Sequence, residues 1–279
     1  MSTELRADAV GGHDVADPIG RVRTRLRWWR EVLYVAAFYA VYSWIRNRFG
    51  SETVAPAAAF RNARDIIDLE QMLHLYFEEA LQDQFLGNPA FMRFWNIFYG
   101  FFHFAVTGFA MIWLYLRDPR SYPKWRNVLA CTTALALVGF ALFPLMPPRL
   151  LDSCGQFGVC PSTHFGYVDT LARYGGLWSF DSGTIKAVSN QFAAMPSLHF
   201  AWSFWCFLVL FHRLPSRTGQ VLIALYPWLT LFAIVVTGNH YWIDALGGAV
   251  TLAVGYLLGS LITEWNQRRI DRVRMEPTP

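Results

Sequence analysis

Apolar residues in this chain gather into six runs, and most of the charge lies in the segments between them. The runs cover 31–45, 94–116, 128–145, 194–211, 221–237 and 241–262. Each approaches the roughly 20 residues a helix needs to cross a bilayer core of about 30 Å. Hydrocarbon offers no water to satisfy backbone amides, so such runs read as helices rather than open strands. The pattern predicts an all-α integral membrane protein, a six-transmembrane-helix bundle forming one domain over 21–265. Residues 1–20 are polar and rich in Gly, Asp and Ala, and read as a disordered tail. Residues 266–279 read as a basic cytoplasmic tail. Between the first two runs, Phe60, Ala63 and Ile67 recur at helical spacing and predict an amphipathic helix in the outer interface. No internal repeat and no second soluble domain is visible.

Composition agrees with that picture: hydrophobic residues make up 54% of the 279 and charged residues 16%. The 12 Trp and 12 Tyr suit the two membrane interfaces. A net charge of +4 is too modest for a nucleic-acid-binding surface, but its distribution is informative. With six spans, the segments on the side of the termini (1–30, 117–127, 212–220, 263–279) hold 16 Lys and Arg. The opposite loops, 46–93 and 146–193, are longer and hold 8. Cytoplasmic loops carry the excess of Lys and Arg, which puts both termini in the cytoplasm of a multi-pass cell-membrane protein. The 30-residue leader is too long for the charged start of a cleaved signal peptide, so the first run reads as a span.

The candidate chemistry sits where apolar runs meet polar loops. His199 lies in Ala194-Met-Pro-Ser-Leu-His199, and His240 and Asp244 in Gly238-Asn-His-Tyr-Trp-Ile-Asp244. Pro147-Pro148-Arg149 follows the third run. The topology brings all three motifs to the outer face. His240 and Asp244 are i, i+4 neighbours if the last helix begins by residue 240. Two imidazoles and a carboxylate supply a nucleophile, its orienting group and a general acid. The same residues could form a two-His, one-carboxylate metal site. A single His at a helix end is also a common interfacial residue. A non-enzymatic transporter or lipid-binding protein would place polar groups nearer the bilayer midplane, on broken helices. His103 and His164 belong to no motif and read as structural.

Pro-Ser-x-His followed by His-x-x-x-Asp on consecutive outer helix ends resembles the type 2 phosphatidic acid phosphatase superfamily. The Pro-Pro-Arg element, Ala-Met-Pro-Ser-Leu-His and Thr-Gly-Asn-His-Tyr-x-x-Asp resemble its inositol phosphorylceramide synthase-like branch. The resemblance covers roughly 60–260 and implies a lipid phosphatase or phosphotransferase without cofactor or metal. Its substrate would be a lipid phosphate or polyprenyl phosphate, cleaved at a phosphoester or phosphoanhydride, with water or a lipid- or inositol-type alcohol as acceptor. The implied roles are chemically coherent. His240 would attack phosphorus to form a phosphohistidine, with Asp244 holding its tautomer. His199 would protonate the leaving oxygen and then activate the acceptor. Arg149 would clamp the phosphate, with Ser197, Leu198 and Asn239 around it and the N-terminus of the fourth helix beneath.

The chain departs from the general superfamily pattern in ways that remove phosphate-binding cations. Leu142 stands at the first motif's Lys and Leu150 at its Pro, Leu198 replaces a Gly, and Ala233-Ile234 replace Ser-Arg. Arg61 and Arg64, on the predicted outer helix, are the candidate substitutes. Cys154 and Cys160 stand in an outer, oxidising loop and are candidates for a small-loop disulfide. Cys131 and Cys206 fall in helices and read as packing residues.

Overall fold

Helices follow the apolar runs, but caps and prolines decide where each begins and ends. The computed structural model describes residues 27–49, 56–153, 155, 164–177 and 191–275. The tail 1–20 and both Cys154 and Cys160 lie outside the described residues. Trp28–Phe49 forms α1, Pro56–Met72 α2, Glu78–Leu86 α3 and Pro89–Ile97 α4. A π-helical turn, Phe98–Phe102, joins α4 to α5, His103–Arg117, without interrupting the rod. There follow α6 (Tyr122–Leu142), the short α7 (Pro148–Leu151) and α8 (Thr170–Tyr174), α9 (Leu198–Leu210), α10 (Arg217–Val236) and α11 (Trp242–Met275). No strand forms among the described residues; Leu145 and Ala193 make one isolated bridge.

Four of these helices are long and apolar enough to cross a membrane: Pro89–Arg117, Tyr122–Leu142, Arg217–Val236 and Trp242–Arg272. The expectation of six is therefore met by four on length and composition. The shorter apolar helix α9 has 13 residues, about 20 Å at the helical rise, short of the roughly 30 Å of hydrocarbon. The expected fourth run opened at Ala194, but α9 begins at Leu198 because Pro196 lacks an amide and Ser197 caps the helix. The third run was expected to reach Leu145, but α6 stops at Leu142, just before Pro144. Leu145 instead donates its amide to Phe192 O at 2.8 Å. Most of the expected basic tail is helical, since α11 continues to Met275.

Small residues set the tightest seam, between α6 and α11. A Cβ on Gly259 would lie 2.7 Å from Val128 Cα, and one on Gly255 would lie 2.9 Å from Thr132 Cα. The two backbones touch there, as membrane helices do where side chains are absent. Outward faces of the long helices carry exposed Ile112, Leu222, Trp228, Val250, Leu257 and Leu261, a surface suited to lipid.

At one end of the bundle the connecting segments pack into a cap. Its core is Phe60, Ile67, Leu145, Met146, Leu151, Phe192 and Tyr241, all buried. The predicted amphipathic helix is α2, with Phe60, Ala63, Ile66 and Ile67 turned into this core. The strap 164–175 is pinned to the bundle by amide side chains. Gln82 bonds the Val168 N–H at 2.9 Å and its C=O at 3.2 Å, and Asn96 bonds the carbonyls of Thr170 at 2.8 Å and Gly175 at 2.9 Å.

Candidate active site

The turn between α10 and α11 carries His240. Thr237 caps α10, and Gly238 follows with φ +68°, a left-handed conformation that only glycine adopts without strain. The amides of Asn239 and His240 both return to Ile234 O, at 3.0 and 3.1 Å, which tightens the turn. α11 begins at Trp242, close to the start of the last apolar run, so His240 lies outside the helix and the condition for an i, i+4 pair on one helix face is not met. His240 and Asp244 still meet, because Asp244 folds back over the turn: its Oδ2 accepts the Tyr241 N–H at 3.0 Å and faces His240 Nδ1 at 3.2 Å.

His240 Nδ1 has a second partner, the carbonyl oxygen of Ala194 at 2.8 Å. A carbonyl can only accept, so Nδ1 carries the proton and the lone pair is left on Nε2. Asp244 is fully buried and His240 nearly so. The imidazole is held from one side by a neutral oxygen and a carboxylate, the arrangement that orients a histidine for use at its other nitrogen.

His199 lies in the first turn of α9, beside this pair. The α9 cap is Ser197, whose Oγ accepts the Phe200 N–H at 3.4 Å and whose own N–H donates to Asp244 O at 2.9 Å. That last bond ties the start of α9 to the first turn of α11. The His199 and His240 ring centroids are 5.5 Å apart. His199 also stacks on Tyr99 at 4.2 Å and meets the His103 ring at 4.2 Å. A gap no larger than a water molecule lies beside it, lined by Tyr99, His103, Tyr226 and Thr230 among others.

Arg149 reaches the same turn from α7. Its backbone N–H donates to Gly238 O at 2.8 Å and its Nε to Asn239 Oδ1 at 2.9 Å. Nη1 lies 2.6 Å from Asp169 Oδ2, and Asp169 also caps α8 through its other oxygen. Arg149, Asn239, His240, Asp244, Ser197, Leu198 and His199 are thus brought to one end of the bundle. Arg61 and Arg64 are not drawn in: both lie on the exposed face of α2.

Sequence reasoning missed three participants. Asp169 stands before a five-residue helix with no motif around it. Ala194 contributes a backbone atom that carries no residue-type signal. His103 adjoins His199 because the π-helical turn Phe98–Phe102 rotates the rod there, and such turns are common at functional sites. His164, by contrast, is exposed and faces Asp152 at 2.9 Å.

A helical membrane protein with a buried His–Asp pair, a second histidine beside it and an arginine bonded to the same turn has the parts of a phosphoryl-transfer enzyme. The chain belongs to the PAP2 superfamily, whose model matches residues 64–258, more than half of its length. Membership points to phosphatase-type activity. No curated protein and no solved structure matches the chain.

Proposed function

We propose that the protein is a membrane-embedded lipid phosphatase or phosphotransferase that cleaves a lipid phosphoester or phosphoanhydride through a phosphohistidine on His240. The observation that carries this is the commitment of His240 Nδ1 to Ala194 O and Asp244, which leaves Nε2 as the nucleophilic atom. The Nε2 lone pair attacks phosphorus, the bond to the leaving oxygen breaks, and His199 delivers a proton to that oxygen. His199, now neutral, takes the proton of the incoming water or alcohol as its oxygen displaces His240 from phosphorus. Asp244 supports the positive charge that His240 gains in the first step. Arg149, held by Asn239 and Asp169, presents its guanidinium to the phosphate oxygens. Arg61 and Arg64 would meet lipid headgroups from the face of α2.

The Pro-Pro-Arg and His-Tyr-x-x-Asp motifs favour an alcohol acceptor, in the manner of the inositol phosphorylceramide synthase-like branch. Six crossings, counting α1 and α9, with both termini in the cytoplasm and the site at the outer leaflet, account for the charge distribution. In this reading His240 is not a metal ligand, because its Nε2 is the atom bonded to phosphorus.

The test is labelling, quenched in alkaline detergent, with ³²P-phosphatidic acid, ³²P-polyprenyl diphosphate and an activated aryl phosphate, with and without inositol-type alcohols. An acid-labile phosphoenzyme is expected, absent in His240→Ala and retained in His199→Ala only with the aryl phosphate. Turnover is expected to persist in EDTA and to be inhibited by orthovanadate. Loss of activity in EDTA, restored by one divalent metal, refutes the phosphohistidine in favour of a metal site.

A further inference from the structure

Behind the His240 turn, three carboxyl groups converge on one helix start. Glu70, on α2, and Glu78, which opens α3, are both fully buried, as is Asp244. Glu78 Oε1 accepts the N–H of Trp242 at 3.1 Å, and Glu70 Oε1 accepts that of Ile243 at 3.5 Å. Asp244 takes the N–H of Tyr241. The first N–H groups of a helix have no partner within it, and three successive amides here are each met by a carboxyl oxygen. The Trp242 indole adds a bond to Leu75 O at 3.0 Å, in the link between α2 and α3.

The charge does not balance if all three groups are ionised. A helix N-terminus offers roughly half a positive charge, and the further titratable groups facing the pair are Tyr76, Tyr167 and Tyr241, with Glu79 nearby and His240 on the far side of Asp244. Glu70 Oε2 is buried and receives no N–H. Two unpaired negative charges in such a place cost far more than retaining a proton. We propose that Glu70 and Glu78 are positioning residues, a buried carboxyl pair carrying one proton between them, which fixes the register of the turn that projects His240. Burial first, then the negative field of Glu78, pushes Glu70 up to about 9. The pair joins both connecting helices to the catalytic turn, and does so through backbone amides only two and three residues beyond His240. A displacement of about 1 Å at such a nucleophile costs on the order of 100-fold in rate.

The functional part of this inference rests on His240 being the nucleophile; the structural part does not. The experiment therefore has two readouts, on full-length protein in detergent labelled with ¹⁵N-histidine. The His240 ring signal, assigned by its loss in His240→Gln, is followed against pH, and turnover is measured with p-nitrophenyl phosphate. The wild-type signal is expected to shift in a titration step near pH 9. Glu70→Gln keeps an acceptor for Ile243 and donates to Glu78, so it should abolish that step, leave the neutral-pH signal in place and hold turnover within about threefold. Glu70→Ala and Glu78→Ala should displace the signal at neutral pH and lower turnover by roughly tenfold or more. A step that persists in Glu70→Gln, or its absence from the wild type, overturns the shared proton. Glu70→Ala matching Glu70→Gln in both readouts overturns the positioning role. A step that Glu70→Gln removes, in a protein that never turns over the aryl phosphate, supports the pair and counts against the phosphatase reading alone.

Discussion

Replacing Asp244 by Asn separates two tasks that a carboxylate beside a histidine usually performs together. One is holding the tautomer and the other is supporting the positive charge on the attacked-through ring. Here Ala194 O, 2.8 Å from Nδ1, holds the tautomer without help. The amide oxygen of Asn can take the place of Oδ2, accepting from both Tyr241 N and His240 Nδ1. Its NH₂ then falls where Oδ1 sits, buried and without a partner, so no existing donor clashes with it. What is lost is the charge. A unit pair at the 3.2 Å of Asp244 Oδ2 and His240 Nδ1 is worth about 5 kcal/mol at an effective dielectric of about 20. A charge-assisted hydrogen bond contributes about 1.5–3 kcal/mol net. The smaller figure governs, since the Asn dipole retains part of the interaction, and it corresponds to a fall in turnover of roughly 10- to 150-fold. Where the carboxylate alone sets the tautomer, the same change costs about 10⁴-fold. The assay is steady-state turnover of p-nitrophenyl phosphate together with the rate of phosphoenzyme formation, on protein that remains monodisperse. A loss near 10⁴-fold refutes the role given to Ala194 O. No loss refutes the role given to Asp244.

Gly259→Ala should lower the thermal midpoint by the equivalent of about 1–3 kcal/mol, because its methyl would press on Val128; Gly108→Ala, with nothing within 4 Å, is the matched control. Circular dichroism melts of both in one detergent decide it, and equal shifts remove the seam argument. Glu70 keeps a proton in the folded protein up to about 9, whereas its ordinary value is 4.5. Unfolding therefore releases a proton between those values, and stability falls as pH rises through the window. Glu70→Gln should flatten that part of the midpoint-versus-pH curve, and an unchanged slope contradicts the assignment. In a variant lacking Cys131, Cys154, Cys160 and Cys206, His164→Cys should react with an impermeant maleimide in intact cells and Ser216→Cys only after lysis. The reverse pattern inverts the topology and moves the chemistry to the cytoplasmic leaflet.

Much of this was legible along the chain because hydrocarbon is an undemanding reader. Apolar length and amphipathic spacing in α2 are local properties; the first found its counterpart in four membrane-long helices and the second in the buried face of α2. The places where expectation failed are also local. Pro144 ended α6 early, Pro196 and Ser197 delayed α9, and α9 came out shorter than a full crossing. Apolarity runs across such stops without registering them, because a proline's missing amide has no effect on hydropathy.

The sequence by itself determined the class of protein and singled out the candidate residues. A His, a second His and an Asp stand at helix ends in spacings that few other chemistries require, and ionisable groups beside membrane-depth segments are costly enough to be rare. Tertiary structure decided what surrounds them. The tautomer of His240 rests on the carbonyl of Ala194, 46 positions away. Arg149 is paired with Asp169 across a strap, and the helix start behind the site is capped by Glu70 and Glu78 from segments more than 160 positions upstream. Backbone oxygens carry no residue-type signal, and a buried carboxyl reads as an ordinary surface charge until packing removes its water.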